Sequence, residues 1–420
     1  MSAVAAPPAV SATASRCRLC GAPLARVFAD LGKSPLANSY LTGLAAMEPF
    51  YPLRALVCGE CLLVQLEQYE TPEDIFSDYA YLSSYSTSWL EHSRRLAASV
   101  TERLGLGPDS LVVELASNDG YLLRWFVERG IPTLGVEPAA NAAEIARARG
   151  VPTRVEFFGT ESARALREER AADLVLGLNV LAHVPDLHDF VAGIEVLLAD
   201  EGLAVLEFPH LMRLIELLQF DTIYHEHFSY FSLGTARTAL ARHGLEVLDV
   251  EEVPTHGGSL RLYVGRPGRR YEEGGAERVD ELMRRERAAG LHRIDTYGAF
   301  GDAVAAEKRD VLSFLIDLRR QGLRVAAYGA PAKGNTLLNY CGVGPDLIEF
   351  TVDLNPKKQG RFLPGSEIPI RAPEALAEER PDVVVILPWN LRDEVVEQHA
   401  YVREWGGRFA ARTPHMTLLG

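Results

Sequence analysis

Cysteine is scarce: five residues in a chain of 420 are too few for a disulfide scaffold. Positive charge is short as well, with 43 Lys and Arg against 57 Asp and Glu and a formal net charge of −14. Proteins whose main partner is nucleic acid or an anionic membrane carry a basic surface, so those classes are excluded and an anionic ligand must find a local basic patch. No run approaches the roughly 18 apolar residues of a membrane span. The first fifteen residues, MSAVAAPPAVSATAS, hold no Lys or Arg and no continuous apolar stretch. They read as a flexible tail and not as a signal peptide, and the expected location is the cytoplasm. What remains is the composition of a soluble globular protein, 47% hydrophobic and 24% charged, long enough for two or three domains.

Four of the cysteines come in two close pairs, CRLC (Cys17, Cys20) and CGEC (Cys58, Cys61). Two CxxC units across a moderate loop match a tetrahedral zinc held by four thiolates. With every position taken by sulfur no site is left for water, so this metal holds a small module together and does no catalysis. The competing reading is two redox-active pairs, although neither is followed by the helical pattern that a thioredoxin-like site needs. Cys341, alone in LLNYCGVG, reads as a buried apolar thiol.

Residues 71–108 turn helical in their second half, with Thr87 or Ser88 as the expected cap. Their first half crowds Tyr79, Tyr81 and Tyr85 among serines. These phenols either pack against the next domain or form a lid that faces a substrate.

An α/β core begins at SLVVELASNDGYLLRWF. An apolar strand over 111–115 runs into a small polar turn at Ala116 to Gly120 and then a helix, the first unit of a doubly wound sheet. Gly120 supplies room for a ligand to approach the backbone. PTLGVEP ends a second strand in Glu137, where a carboxylate can accept the hydroxyls of an adenosine ribose. ADLVLGLNVLAHVPD brings Asn179 and His183 to a further carboxyl end, where open α/β sheets bind ligands. This order of features resembles a class I S-adenosylmethionine methyltransferase. The resemblance implies cofactor contacts at Glu114, Ser117, Asn118, Gly120, Glu137 and Asn179, with Ala116, Ser117 and Asn118 standing where such proteins often have glycine.

DTIYHEHFSY (221–230) follows a helical run and precedes a helix and a strand, so it is a connection over the ligand-binding edge of the sheet. Three readings are open: metal ligands, solvated surface histidines, or an acid/base device. A third protein ligand is missing for the first. The third fits because a histidine of ordinary pKa ~6.5 accepts a proton near neutrality, Glu226 can raise its basicity, and Tyr224 can donate to a developing oxyanion. Removing a proton from a carbon beside a ketone requires such a base and donor.

The last 110 or so residues repeat the α/β theme: LRVAAYGAPAKGNTLLNYCG, IEFTVDLNP ending at Asp353, and DVVVILPWN. A GxxxxG turn with Lys333 at a helix N-terminus suits phosphate, with Lys357, Lys358 and Arg361 nearby. Asp353 would suit a nicotinamide ribose, which keeps a dehydrogenase domain open. The charge-rich stretch between the sheets reads as a solvated linker and helix.

Taken together, the cysteine pairs, YHEHFSY, THGGSLR (255–261) and GAPAKGNTLLNY resemble the sugar C-methyltransferases that act on nucleotide-linked ketosugars in deoxysugar and antibiotic biosynthesis. The resemblance implies an α/β fold with a tail at 1–16, a zinc module at 17–70, a tyrosine-rich lid and helix at 71–108, and a methyltransferase core at 109–266. A helical linker at 267–308 and a Rossmann-like domain for the substrate nucleotide at 309–420 complete it. It further implies S-adenosylmethionine as methyl donor, structural zinc on Cys17, Cys20, Cys58 and Cys61, and a thymidine diphosphate 4-keto-6-deoxyhexose methylated at C-3 through an enolate. In that reading His227 is the base, with Glu226 and Tyr224 as its partners. Tyr79 or Tyr81 reaches the sugar from the lid, His225 shapes the loop or contacts the sugar, and Lys333 and Asn335 hold the nucleotide. The expected partner is a small molecule, with no nucleic acid and no membrane. The alternatives are a nicotinamide-dependent sugar-nucleotide oxidoreductase and a non-enzymatic zinc scaffold.

Overall fold

The computed structural model describes residues 15–45, 47–76, 82–412 and 414–419. Three sheets organise it. The first joins β1 (Arg26–Ser34), β2 (Tyr51–Val57) and β3 (Val64–Leu66) as an antiparallel meander that follows the first cysteine pair.

The second sheet starts with β4 (Val112–Leu115), β5 (Thr133–Val136), β6 (Thr153–Arg154), β7 (Ala172–Leu178) and β8 (Leu198–Pro209). All four residues of β4 are buried, as expected for a parallel strand covered by helices on both faces. A two-residue strand, β9 (Ser229–Tyr230), then leaves this body and pairs with β3 across the gap, Val64 opposite Tyr230 and Gln65 opposite Ser229. The chain returns as β10 (Glu246–Val253) and β11 (Ser259–Gly265), which close the sheet antiparallel in the order β10-β11-β8-β7-β4-β5-β6. The third sheet runs β14-β13-β12-β15-β16-β17. It is built from β12 (Val325–Tyr328), β13 (Thr351–Val352), β14 (Ile370–Arg371), β15 (Val383–Ile386), β16 (Arg408–Arg412) and β17 (Met416–Leu419), and only the last pair is antiparallel.

Helix Thr87–Leu104 leads into the core. Its cap is Ser86, one residue before Thr87 and two before Ser88: Ser86 is extended, at φ −95°, and its side chain accepts from Trp89 N, while Thr87 already lies inside the helix. Gly105 ends the helix in the left-handed region, at φ 61°.

Shared cores fix how the three sheets meet. Phe28, Leu53 and Val64 of the first sheet pack in one apolar cluster with Leu211, Phe220, Val325 and Leu337, and Phe28 stacks on Phe300 with ring centroids 4.3 Å apart. The zinc module therefore wedges between the other two sheets instead of hanging from the chain's end. Among the described residues no helix is long and apolar enough to cross a membrane.

Candidate active site

A cavity of about 580 Å³ opens between the carboxyl ends of the second and third sheets. One wall is the turn after β4. Ala116 and Asn118 take left-handed φ values of 53° and 48°, so the backbone follows a path that glycine usually supplies, and the cost of order 1–3 kcal/mol per residue is borne by Ala and Asn. Glu137 holds the turn: its Oε2 accepts from Asn118 N at 2.7 Å and its Oε1 from Ala139 N at 2.8 Å. Burial pushes Glu137 above the usual carboxylate range, and the two amides oppose that push. Asn118, Glu137 and Asn179 all line the cavity.

Glu114, Ser117 and Gly120 do not line it; they stand behind the turn. Gly120, at φ 75°, is where a Cβ would meet Val151 Cγ2 at 3.0 Å and Ala146 Cβ at 3.2 Å. Its room is needed for packing against the helix Ala140–Ala148, not for a ligand's approach. Burial pushes Glu114 well up, opposed by the Tyr121 hydroxyl and the Leu123 amide.

Asn179, also left-handed at φ 56°, is placed by its N–H on Glu207 O at 2.7 Å. Its Nδ2 lies 3.1 Å from His256 Nε2, and its Oδ1 is buried with no hydrogen-bond partner among the described residues. Glu207 anchors this corner. It accepts from Arg261 Nη2 at 2.9 Å and from Thr255 Oγ1 at 2.9 Å, and it lies 3.0 Å from His92, which stacks on Trp89 in the cavity wall. The THGG turn is tight for a steric reason: at Gly257, φ 88°, a Cβ would fall 2.3 Å from Trp389 Cη2.

The loop 221–230 is buried. His225, Glu226 and His227 are 6%, 3% and 8% exposed, which removes the reading as solvated histidines. Burial is imposed from outside the loop, by β9 on β3 and by the Arg18 guanidinium, which donates to Phe228 O. Among the described residues, neither cluster of potential metal ligands includes His225 or His227.

His227 Nδ1 lies 2.9 Å from Thr222 O, a group that can only accept. The proton is therefore assigned to Nδ1, and Nε2 carries the lone pair that accepts from the Tyr224 hydroxyl at 2.8 Å. Burial, then the neighbouring His183, holds His227 well below the ordinary histidine value; burial takes His183 and His256 down to about 4. The His183 ring stands edge-on to His227 with centroids 4.6 Å apart. His227, His183 and His256 line the cavity as neutral imidazoles, beside Tyr224.

Three expected contacts fall elsewhere. His225 faces away from the cavity: its Nε2 is 3.1 Å from Pro52 O and its ring is edge-on to Tyr51 and Tyr69, so it shapes the loop. Glu226 directs Oε1 to Asn38 Nδ2 at 2.6 Å, while the Nε2 of His227 is taken by Tyr224. Asn335 is 1% exposed and donates to Ala37 O at 2.6 Å, a joint between the zinc module and the third sheet, because the helix Ala332–Cys341 turns that face inward. Tyr79 and Tyr81 lie outside the described residues; Tyr85 lines the cavity.

The wall from the third sheet carries two lysines, Lys333 and Lys358, beside two carboxylates, Asp353 and Glu394. Lys333 Nζ donates to Asn390 Oδ1 at 2.8 Å and sits 4.5 Å over the Trp389 ring, and burial pushes it down to about 8. Lys358 Nζ donates to Ala330 O at 2.8 Å and lies 3.7 Å from Asp353. Lys357 and Arg361 are exposed and do not line the cavity.

At the far end, Cys17, Cys20, Cys58 and Cys61 bring their sulfurs within 4.8 Å of one another. The pairs Cys17–Cys61 and Cys20–Cys58 are 3.4 Å apart, near the ~3.8 Å edge of a tetrahedron with Zn–S of ~2.3 Å. The four thiols fit a structural zinc.

Residues 17–76 match a model described as a zinc binding domain, 89–250 a methyltransferase domain, and 254–414 a C-methyltransferase C-terminal domain. The C-methyltransferase NovU of Streptomyces niveus is 38% identical over 406 residues, which are 96% of each chain. The chain belongs to this family of C-methyltransferases. Its methyl donor is S-adenosylmethionine and its metal is zinc. Solved structures aligned with part of the C-methyltransferase include magnesium protoporphyrin IX methyltransferase from Synechocystis PCC 6803 with bound SAM. That match is 16% identical, covers 43% of this chain and 81% of that one, and has a TM-score of 0.33. Another is an S-adenosylmethionine-dependent methyltransferase from Clostridium acetobutylicum ATCC 824, 12% identical over 43% and 92% of the chains, TM-score 0.35. Family membership sets aside the oxidoreductase and scaffold alternatives.

For a C-methyltransferase the residues of the cavity fit their task. Asn118, Glu137 and Asn179, whose Oδ1 has no hydrogen-bond partner among the described residues, form a polar wall. His183 and Lys358, noted in the sequence only as neighbours of a strand end and of the phosphate turn, complete the cavity together with His256 and Asn38, which were given no role. His183 stood beside Asn179 at a strand end and His256 inside THGG, so both left a trace. Asn38, in SPLANSY, left none.

Proposed function

We propose that this enzyme methylates C-3 of a thymidine diphosphate 4-keto-6-deoxyhexose, with His227 as general base. The observation that carries the reading is the fixed, neutral imidazole: Thr222 O holds Nδ1–H, and the basic Nε2 faces a cavity that reaches both α/β sheets.

The C-3 proton beside the ketone passes to His227 Nε2, leaving an enolate and an imidazolium. A buried imidazolium alone is costly, but the step makes both charges together, so each lowers the cost of the other. Tyr224 has one hydroxyl proton. Turning it from Nε2 to the C-4 oxygen frees the base and stabilises the developing oxyanion in one motion. The donor, when bound, supplies an electrophilic methyl group. Asn118, Glu137 and Asn179 hold it so that the enolate carbon and the methyl group meet, which removes much of the entropic cost of a two-substrate reaction. Lys333, Lys358 and Asn390 take the diphosphate, and Tyr79 or Tyr81, from the tyrosine-rich segment, contacts the sugar. Nucleotide sugar and donor are cytoplasmic metabolites, and we place the enzyme there.

The test is incubation with such a ketosugar nucleotide in heavy water. Deuterium entering one ring position without donor, and a gain of one methyl mass with it, support the proposal and locate the carbon. His227→Asn should lose both signals while keeping its zinc. Turnover at the wild-type rate in that variant removes His227 from the role of base.

A further inference from the structure

The segment between the cysteine pairs reaches beyond the zinc module. After β1 the chain crosses to the third sheet, where Ala37 O accepts from Asn335 Nδ2 at 2.6 Å and the Tyr40 hydroxyl lies 2.6 Å from Ala330 O. Leu41 and Phe362 then exchange backbone hydrogen bonds of 3.0 and 2.9 Å. Asn38 stands among these ties. A carboxylate oxygen accepts, so the amide is turned to donate from Nδ2 to Glu226 Oε1 at 2.6 Å, which leaves Oδ1 3.1 Å from the Tyr40 hydroxyl.

Glu226 links that strap to the base. Its carboxylate is buried, and a buried carboxylate is held in place by the donors it finds. Next to it in the loop is His227, whose ring is the edge-on neighbour of His183. The strap, the loop and the two histidines thus form one connected set, anchored at the zinc end by Cys58 next to β2 and at the other by the third sheet.

We infer that Asn38 is a positioning residue for proton abstraction: the zinc module reaches into the active site and sets the place of the base-bearing loop through the Asn38–Glu226 hydrogen bond. The inference rests on the proposed role of His227. It gives the module a part in the reaction although its metal has no open coordination position.

The test uses the full-length, zinc-loaded enzyme, Asn38→Asp and Asn38→Leu, and three readouts: kcat, KM for the ketosugar nucleotide, and the donor's Kd. Asn38→Asp keeps the shape and sets a carboxylate against Glu226; Asn38→Leu removes the donor but keeps the bulk. The expected result is a fall in kcat of at least tenfold for both, larger for Asp than for Leu, with KM and donor Kd within threefold and one zinc per chain. A purely structural role gives the opposite order, because Leu is the poorer mimic of a polar amide in its pocket. Wild-type kcat in Asn38→Asp, or a greater loss in Leu than in Asp, overturns the inference. His227→Asn separates the two readings: if it is active, the base assignment fails; if it is dead while both Asn38 variants run at full rate, only the present inference fails.

Discussion

The cavity histidines lead to a proton count that can be measured. Burial takes His183 and His256 to about 4 in the folded enzyme and His227 well below 6.5. Unfolding returns each to ~6.5. At pH 5.5 an unfolded histidine is about 0.9 protonated and a folded one with pKa about 4 is about 0.03 protonated, so each takes up about 0.9 proton on unfolding. The sign follows: the folded value is depressed, so the stabilisation is fully present above ~6.5 and is lost as pH falls toward about 4. The slope near pH 5.5 is about 1.2 kcal/mol per pH unit for each histidine, and the loss from pH 7 to 5 is about 2 kcal/mol each. Glu114 and Glu137 act in the opposite direction, since burial raises them and they release protons on unfolding. The decisive quantity is therefore the difference between wild type and His256→Asn, read as proton uptake when lightly buffered enzyme is unfolded with guanidinium at pH 5.5. This count does not require the three sheets to unfold together. Uptake should fall by about 0.9 proton in the variant. A fall below about 0.3 proton would mean that folded His256 titrates as an exposed histidine, and the neutral-imidazole account of the cavity would then be wrong.

Two further outcomes are expected. Lys333, pushed down to about 8, is mostly charged at pH 7 and loses its charge above pH 8 in the free enzyme. KM for the nucleotide sugar should therefore rise above pH 8 in wild type, whereas Lys333→Met should show a KM raised about tenfold, the worth of one charged hydrogen bond, with that limb gone and donor Kd unchanged. Stripping zinc with a strong chelator should expose four reactive thiols, counted by a chromogenic thiol reagent, and abolish turnover; Cys341, buried and pushed up to about 12, should stay unmodified until the chain unfolds.

What could be read early was what local pattern encodes. Two CxxC pairs specify four sulfurs whatever the loop between them does, and they converge as expected. Apolar strands followed by polar turns gave the two α/β sheets, because strand periodicity and ligand edges are properties of short segments. The helix cap was missed by one or two residues, since Ser86, Thr87 and Ser88 differ only in which one stays extended. Asn335 was misplaced, and His225 was left between shaping the loop and contacting the sugar, for a different reason: polarity near a motif says nothing about which face a packed neighbour will cover.

By itself the sequence determined the zinc ligands, the class of the two sheets and the chemistry available to YHEH, since each depends on residue types at short spacing. The tertiary structure decided how that chemistry is poised. Pairing of β9 with β3 buries the loop and depresses its histidines, Thr222 O selects the tautomer of His227, and a strap from nearly 190 residues upstream sets Asn38 on Glu226. Burial and donor geometry arise only when distant segments meet, and they alone fix the tautomer and direction of the His227 imidazole that we propose as the base.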